Sequence, residues 1–246
     1  MSDHNDDPRL SGEHIRTVTD SNGTVTLVGV VHDHPASIYR ARTAVSAQDP
    51  EILALELPPL ALPLFEQYAR DNRTPPVFGG EMSAAIQVAT GATVVGIDGP
   101  SREYLHRLVG TLSRTPLSLT TLRRVGKSVL SALKQAAVCR LASTLASVTT
   151  VRLEVDTPAV YETDWTDTPE RQAANERQHL DRARSVLDVL EPPRAMHIRD
   201  TTREAHMADR LDCLRHDGDI VAIVGRDHLD AVADSLTAGN SAEDSG

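Results

Sequence analysis

The sequence predicts an α/β fold in which a mostly parallel central sheet is flanked by helices. Four short runs of β-branched and apolar residues alternate along the chain with longer segments of helical periodicity, at 24–34, 50–56, 92–98 and 219–225. These runs largely lack the polar alternation of half-exposed strands, as expected for strands covered on both faces. Strands separated by helices at this spacing are typical of right-handed βαβ units and a parallel sheet.

An N-terminal β-hairpin is expected to precede these units. Ser21-Asn22-Gly23 separates two β-branched runs, and Asn-Gly favours a tight turn because both residues tolerate positive φ. Helices are expected between the later strands, where apolar residues recur at intervals of three and four. The predicted helices cover 35–47, 60–72, 81–90, 168–190 and 195–216.

The segment 104–153 differs from the rest of the chain, since it holds eight basic residues and no acidic one. Its apolar residues recur at helical spacing, which predicts a basic helical insertion of one or two amphipathic helices. The favoured interpretation is that the insertion packs on the domain itself or forms a homodimer with a second copy. The alternative is a helix lying on an acidic membrane surface. The predicted apolar track is Leu122, Val125, Val129, Leu133, Ala137 and Leu141.

Composition indicates one domain, 13–237, between disordered acidic ends at 1–12 and 238–246. The net charge is −10, and only two of the 25 basic residues are lysines. This balance is typical of a protein from a halophilic cytoplasm, although a GC-rich genome also favours arginine over lysine. Cys139 and Cys213 are far apart and predict neither a disulfide framework nor a zinc site. No segment is long and apolar enough for a membrane span, and the negative charge argues against nucleic acid.

Four of the predicted strands end at titratable residues. If the strands are parallel and adjacent, these side chains meet where α/β folds bind ligands. Two of the ends share a Gly-x-x-His pattern, and glycine there allows a sharp turn or a close approach. Imidazole and carboxylate donors suit a divalent ion such as Mn, Co or Zn, with an open position for water. The four ends are His32, Glu56, Asp98 and His228.

Two further residues are candidates for the same site. Glu81 follows two glycines at a predicted helix start and is either a ligand, a general base or a partner of the helix dipole. Arg203 either orients a carboxylate, holds an anionic group of the substrate or forms a surface ion pair with Asp200 or Glu204. Candidate supporting partners of the metal ligands are Asp33, His34 and Asp227.

Several motifs together resemble the TraB/PrgY family, which is related to the Tiki and ChaN-like proteins. They are GVVHDHPAS, ILALEL, GGEMSAAIQVATGATVVGIDGP, TREAHMADRL and DIVAIVGRDHL, and they cover most of the chain in order. The resemblance implies an α/β fold with a metal site formed by two Gly-x-x-His elements and glutamates. Tiki relatives are membrane-associated metalloproteases, and bacterial PrgY/TraB proteins shut down peptide pheromone signalling.

By position, the resemblance assigns five residues of this chain to the family's site. They are the histidines His32 and His228, the glutamates Glu56 and Glu81, and the arginine Arg203. The family helix often reads Glu-Arg-Asp, where this chain has Thr202-Arg203-Glu204. Many family members also continue into C-terminal membrane spans that this sequence does not show.

Two functional hypotheses follow. In the first, the protein is a metal-dependent hydrolase of peptide or amide bonds, with signalling peptides as the substrates that the resemblance implies, and His32, His228 and Glu56 or Glu81 hold the ion. The remaining glutamate activates water, and Arg203 supports it. In the second, the protein is a non-enzymatic binder that sequesters a small peptide or another small ligand in the same crevice and so shuts down a signal.

Overall fold

A five-stranded mixed sheet forms the centre of the computed structural model, which describes residues 7–71, 73–148, 159–189 and 193–243. The strand order is β1-β2-β5-β3-β4, with β1 antiparallel to β2 and the remaining neighbours parallel. The predicted α/β class with a mostly parallel sheet is therefore confirmed. The strands are β1 (Ile15–Asp20), β2 (Gly23–Val30), β3 (Ile52–Leu55), β4 (Thr93–Gly96) and β5 (Ile220–Gly225).

Helices cover both faces of the sheet. One face packs against α7 and α8 through residues such as Met207 and Leu229, and the other against α1 and α3 through residues such as Val45 and Met82. Successive residues of β5 thus point into two different cores, which explains the missing polar alternation. In the described residues the helices are α1 (Pro35–Gln48), α2 (Leu62–Ala69), α3 (Gly80–Val88), α4 (Arg102–Arg114), α5 (Leu119–Val148), α6 (Pro169–Val189), α7 (Arg194–Leu214) and α8 (Arg226–Glu243).

The predicted hairpin is present, but only one of the two residues expected to have positive φ does so. Asp20 pairs with Gly23, so that Ser21 and Asn22 are the two turn residues. Positive φ falls on Gly23, at +142°, and not on Asn22. A Cβ at Gly23 would lie 2.7 Å from the carbonyl oxygen of Arg215, so glycine is needed there for close packing as well as for conformation.

The two Gly-x-x-His motifs meet across the sheet, as predicted. In the parallel pairing of β2 with β5, Gly29 lies opposite Val224, and Val30 lies opposite Gly225. His32 follows β2 in a loop, whereas His228 lies in the first turn of α8. Both histidines are therefore delivered to the carboxyl edge of the parallel strands.

Within the described residues, both predicted disordered ends include folded chain. Arg9 lies over the ring of Tyr39 at 3.4 Å, and its carbonyl accepts a 2.6 Å hydrogen bond from Nε of Arg40. At the other end α8 continues to Glu243, because Leu229 and Leu236 anchor it and a helix propagates readily beyond its last buried turn. The remaining predicted ends, 1–6 and 244–246, lie outside the described residues.

The predicted helical insertion consists of α4 and α5 as far as residue 148, and its last residues lie outside the described part of the chain. α5 packs against α2 through small side chains, including Cys139 and Ala142. The predicted apolar track is wrong in this half of the helix, since Leu133 and Leu141 are exposed. This face of small side chains lets α5 approach α2 more closely than a face of leucines would. The homodimer through this insertion stays a prediction.

Among the described helices, none combines the length and the apolar character that a membrane crossing requires. The expected cytoplasmic location and halophilic origin stay predictions.

Candidate functional site

A cleft of about 830 Å³ opens at the carboxyl edge of the parallel strands. Its walls come from the ends of β2 and β3, from α2, from the loop before α3, and from α5 and α7. Five of the six predicted site residues line it, and His228 adjoins it with Nε2 3.7 Å from Oε1 of Glu56. The predicted residues therefore gather around one cleft. The five that line it are His32, Glu56, Glu81, Asp98 and Arg203.

His32, Asp33 and Glu81 form a candidate metal site on one wall. One possible ligand atom from each lies within 4.8 Å of the others, and in the described parts of the chain no other group of three His, Cys, Asp or Glu side chains does so. Nδ1 of His32 is 3.1 Å from Oε1 of Glu81, and Nε2 is 3.5 Å from Oδ2 of Asp33. One imidazole and two carboxylates fit Mn, Co or Zn by donor type.

Backbone geometry brings these three side chains together. Asp33 has a φ of +57°, which is uncommon for a residue other than glycine and is often found at functional sites. Its N–H donates to Oε2 of Glu81 at 2.9 Å. Gly80, with φ +45°, is the first residue of α3 and lies directly against Asp33. A Cβ at this position would lie 2.2 Å from Oδ1 of Asp33. Gly80 therefore makes room for the neighbouring carboxylate.

Tyr161 supports the same loop from a distant part of the sequence. Its hydroxyl donates to the carbonyl oxygen of His32 at 2.5 Å. Burial, together with the charges of Asp33 and Glu81, raises the pKa of Tyr161 to about 12, so the hydroxyl keeps its proton and remains a donor. No sequence motif indicates this residue, which is separated from His32 by 129 positions.

Arg203 organises the opposite wall. Its Nε and Nη2 donate to the two carboxylate oxygens of Asp98 at 3.0 and 2.7 Å, and Nη2 also donates to Oε1 of Glu56 at 2.7 Å. Burial opposes the charge on Arg203, but these carboxylates raise its pKa above the usual value. The predicted orienting role for Arg203 fits these contacts, whereas the alternative of a surface pair with Asp200 does not, since Asp200 pairs with Arg199.

Both carboxylate oxygens of Glu56 accept hydrogen bonds, and yet its pKa is raised. Oε2 accepts a 2.6 Å hydrogen bond from the N–H of Gly225, immediately before α8. Burial raises the pKa of Glu56, and the nearby charge of Arg203 only partly offsets this. A buried carboxyl with a raised pKa can exchange protons closer to neutral pH than an ordinary one, as proton-transferring groups must.

His228 joins Glu56 to α7. Its Nε2 faces Nη1 of Arg203 at 3.3 Å, and its Nδ1 lies 2.8 Å from Oε1 of Glu204. A guanidinium can only donate, so Nε2 accepts and Nδ1 carries the proton that it donates to Glu204. This interaction of Glu204 was not predicted from the sequence, which offered it only as an ion-pair partner of Arg203.

The predicted metal ligands thus fall into two groups around the cleft. His32 and Glu81 lie together with Asp33, whereas His228 and Glu56 lie with Arg203 and do not complete a four-residue cluster with the first pair. The guanidinium explains the separation, because a cation already occupies the space that His228 and Glu56 share.

The other supporting residues named from the sequence have different positions. Asp33 belongs to the candidate ligand group itself. His34 is buried and caps α1, with its Nδ1 accepting from the N–H of Ala36 and its Nε2 3.1 Å from Oδ1 of Asn175. Asp227 is exposed in the first turn of α8.

Comparison of this chain with family models, curated proteins and solved structures finds no match. The resemblance to the TraB/PrgY family therefore stays a prediction from the motifs.

Proposed function

We propose that this protein is a metal-dependent hydrolase of peptide or amide bonds, with His32, Asp33 and Glu81 holding the divalent ion. The observation that carries the proposal is the sharing of one cleft by these three side chains and by Glu56, a buried carboxyl with a raised pKa. An ion such as Mn, Co or Zn held by these residues would polarise a carbonyl and make water a better nucleophile near neutral pH.

The donor set supports this assignment by charge as well as by atom type. Asp33 and Glu81 together carry two negative charges, which balance a divalent cation. The second oxygen of Glu81 is held by the N–H of Asp33, so its other oxygen is directed toward the imidazole of His32. Such hydrogen bonds outside the ligand atoms fix the orientation of the ligands.

Glu56 is the proposed proton carrier. Each carboxylate oxygen has two lone pairs, so the bonds from Arg203 and Gly225 position Glu56 and still leave it able to accept a proton. In the proposed reaction Glu56 takes a proton from the attacking water and later gives one to the departing amine. Proton transfer by a positioned side chain typically contributes about 10²- to 10⁴-fold to the rate.

Arg203 and His228 are the proposed positioning residues for Glu56. The bidentate bond to Asp98 fixes the plane of the guanidinium, which in turn fixes Oε1 of Glu56. Glu204 fixes the ring of His228, which faces the same oxygen. The motif resemblance to the TraB/PrgY family supports a metal-dependent hydrolase and adds signalling peptides as a substrate class, but it assigns His228 and Glu56 to the metal site, where this proposal has Asp33.

A hydrolysis assay tests the proposal. The protein is stripped with a chelator, reloaded with Mn, Co or Zn, and incubated with a pool of unrelated peptides, and new cleavage products are identified by mass spectrometry. We expect metal-dependent cleavage that falls at least 100-fold in Glu56→Gln. Glu66→Gln is the matched control, because Glu66 is exposed on α2 and does not line the cleft.

Two results would count against the hydrolase. Peptide binding without cleavage under any metal would favour the alternative function, sequestration of a peptide in the same cleft. Undiminished cleavage by Glu56→Gln would remove the proton carrier from the mechanism.

A further inference from the structure

The cleft has an apolar arm formed by aromatic side chains. This chain contains two phenylalanines, four tyrosines and one tryptophan, and aromatic residues make up only 3% of it. Both phenylalanines and two of the tyrosines line the cleft, so most of the aromatic side chains of the protein are placed at one cavity. They are Phe65, Tyr68, Phe78 and Tyr104.

Three of these rings form a contiguous surface. The ring centroids of Phe65 and Tyr68 are 5.8 Å apart, and those of Tyr68 and Phe78 are 5.2 Å apart. α5 faces this surface with small side chains, including Ala136 and Cys139. The rings and these small side chains all line the cleft, so the cleft extends to this surface.

The apolar arm adjoins the candidate metal site through a very short stretch of chain. Phe78 and Glu81 are separated only by Gly79 and Gly80, and a Cβ at Gly79 would lie 3.0 Å from the ring of Phe65. A substrate whose reacting amide lies between Glu81 and Glu56 therefore has its neighbouring group at the entrance of the arm.

The charged groups around the cleft are already paired, so they do not favour an acidic substrate. Arg199 and Arg203 line the cleft, and Arg203 is taken up by Glu56 and Asp98. A divalent ion would neutralise Asp33 and Glu81, and an acidic side chain in the apolar arm would lose its water without gaining a partner. The four lining carboxylates are Asp33, Glu56, Glu81 and Asp98.

We infer that the arm is a specificity subsite for a large apolar side chain, such as leucine or phenylalanine, next to the bond that is hydrolysed. The cleavage step in this inference rests on the proposed hydrolase function, but the binding preference does not. Burying a leucine- or phenylalanine-sized side chain is worth on the order of 10- to 100-fold in affinity relative to glycine.

Binding and turnover of matched peptides test the inference separately. Acetylated tripeptide amides that differ only in a central Leu, Phe, Gly or Asp are titrated calorimetrically into metal-loaded Glu56→Gln protein, and kcat/KM is measured for the wild type. We expect the Leu and Phe peptides to bind at least 10-fold more tightly than the Gly peptide, and the Asp peptide to bind most weakly.

Two substitutions on α5 provide a matched pair. Ala132 and Ala137 are both exposed on this helix, but only Ala132 lines the cleft. Ala132→Phe should therefore fill the entrance of the arm and remove the preference for Leu and Phe peptides. Ala137→Phe should leave the preference unchanged, and because both positions are exposed, both variants should fold.

The outcomes separate this inference from the proposed function. Selective binding without cleavage would support the subsite and overturn the hydrolase. Cleavage with equal affinities for the Leu and Gly peptides would overturn the subsite and leave the hydrolase standing. An equal loss of preference in Ala132→Phe and Ala137→Phe would also contradict the subsite.

Discussion

Nη2 of Arg203 lies 2.7 Å from Oε1 of Glu56, and yet the pKa of Glu56 is raised. Burial disfavours the charged carboxylate more strongly than the nearby guanidinium favours it. The same guanidinium also holds Asp98, whose negative charge adds to the penalty on Glu56. Arg203 thus pairs with two carboxylates. Its single charge does not fully offset the effect of burial on the pKa of Glu56, the residue that we assign to proton transfer.

The raised pKa of Glu56 predicts an acid limb in the pH–rate profile. Because the carboxylate form accepts the proton, kcat/KM should fall as the pH drops through a value above the ordinary 4.5. Measuring kcat/KM from pH 4 to 9 checks this expectation. Glu66→Gln should retain the limb, whereas the residual activity of Glu56→Gln should lack it. A limb that persists in Glu56→Gln would assign it to another group.

Removing Arg203 should affect both stability and titration. Arg203→Met leaves two buried carboxylates without their cation, which typically costs about 3–5 kcal/mol. It should also move the acid limb to higher pH, because the charge that favours ionised Glu56 is lost. Urea denaturation and the pH–rate profile measure the two effects. Arg199→Met is the control for stability, since its ion pair with Asp200 is more exposed and should be worth under about 1 kcal/mol.

A glycine pair isolates the packing against Asp33. In Gly80→Ala the new methyl group collides with Oδ1 of Asp33 and should weaken metal binding at least 10-fold by displacing a ligand. Gly91→Ala is the matched control, because it also has positive φ, at +89°, but faces open space. Both substitutions should cost about 1–2 kcal/mol in backbone strain. Titration with the ion should show weaker binding only for Gly80→Ala, and equal affinities would contradict the proposed role of Asp33.

A buried histidine outside the cleft should make stability depend on pH. His14 is 2% exposed, and its pKa is lowered to about 4, first by burial and then by the charge of Arg40, which pairs with Glu176. His14 takes up a proton near pH 6.5 in the unfolded chain but only near pH 4 in the folded protein. The neutral, buried His14 therefore contributes its full share of the free energy of unfolding above pH 6.5, and that share is lost as the pH falls toward 4.

The loss at His14 should be on the order of 3 kcal/mol across that window. Urea unfolding at pH 7 and pH 4.5 measures it, and His14→Gln should show a smaller difference between the two pH values. His216→Gln is the control, since His216 is exposed. The expectation would be wrong if the two variants had the same pH dependence.

The sequence predicts the framework of the fold because that framework depends on local patterns. Apolar runs, a hairpin turn and helix spacing are sufficient to place the ends of β2 and β5 at one edge of a parallel sheet. The candidates His32, Glu56 and Glu81 follow from where those strands end and where α3 begins, whereas Arg203 lies in the middle of α7.

The pairing of side chains within the cleft depends on long-range packing and is not visible in the sequence. Whether Glu56 faces His32 or Arg203 is decided by how α7 lies against the sheet. Asp33 enters the ligand group through an unusual φ, and Tyr161 through a contact across 129 positions. The small-residue face of α5 was missed because its larger leucines dominate the periodicity.

Metal stoichiometry tests the central claim most directly. The wild type and three variants are purified, loaded with Mn, Co or Zn, freed of excess ion and analysed by mass spectrometry. Our account predicts one equivalent in the wild type, its loss in His32→Ala and Glu81→Gln, and its retention in His228→Ala, because Arg203 and not an ion faces His228. Absence of metal from the wild type, or loss in His228→Ala with retention in His32→Ala, would contradict it.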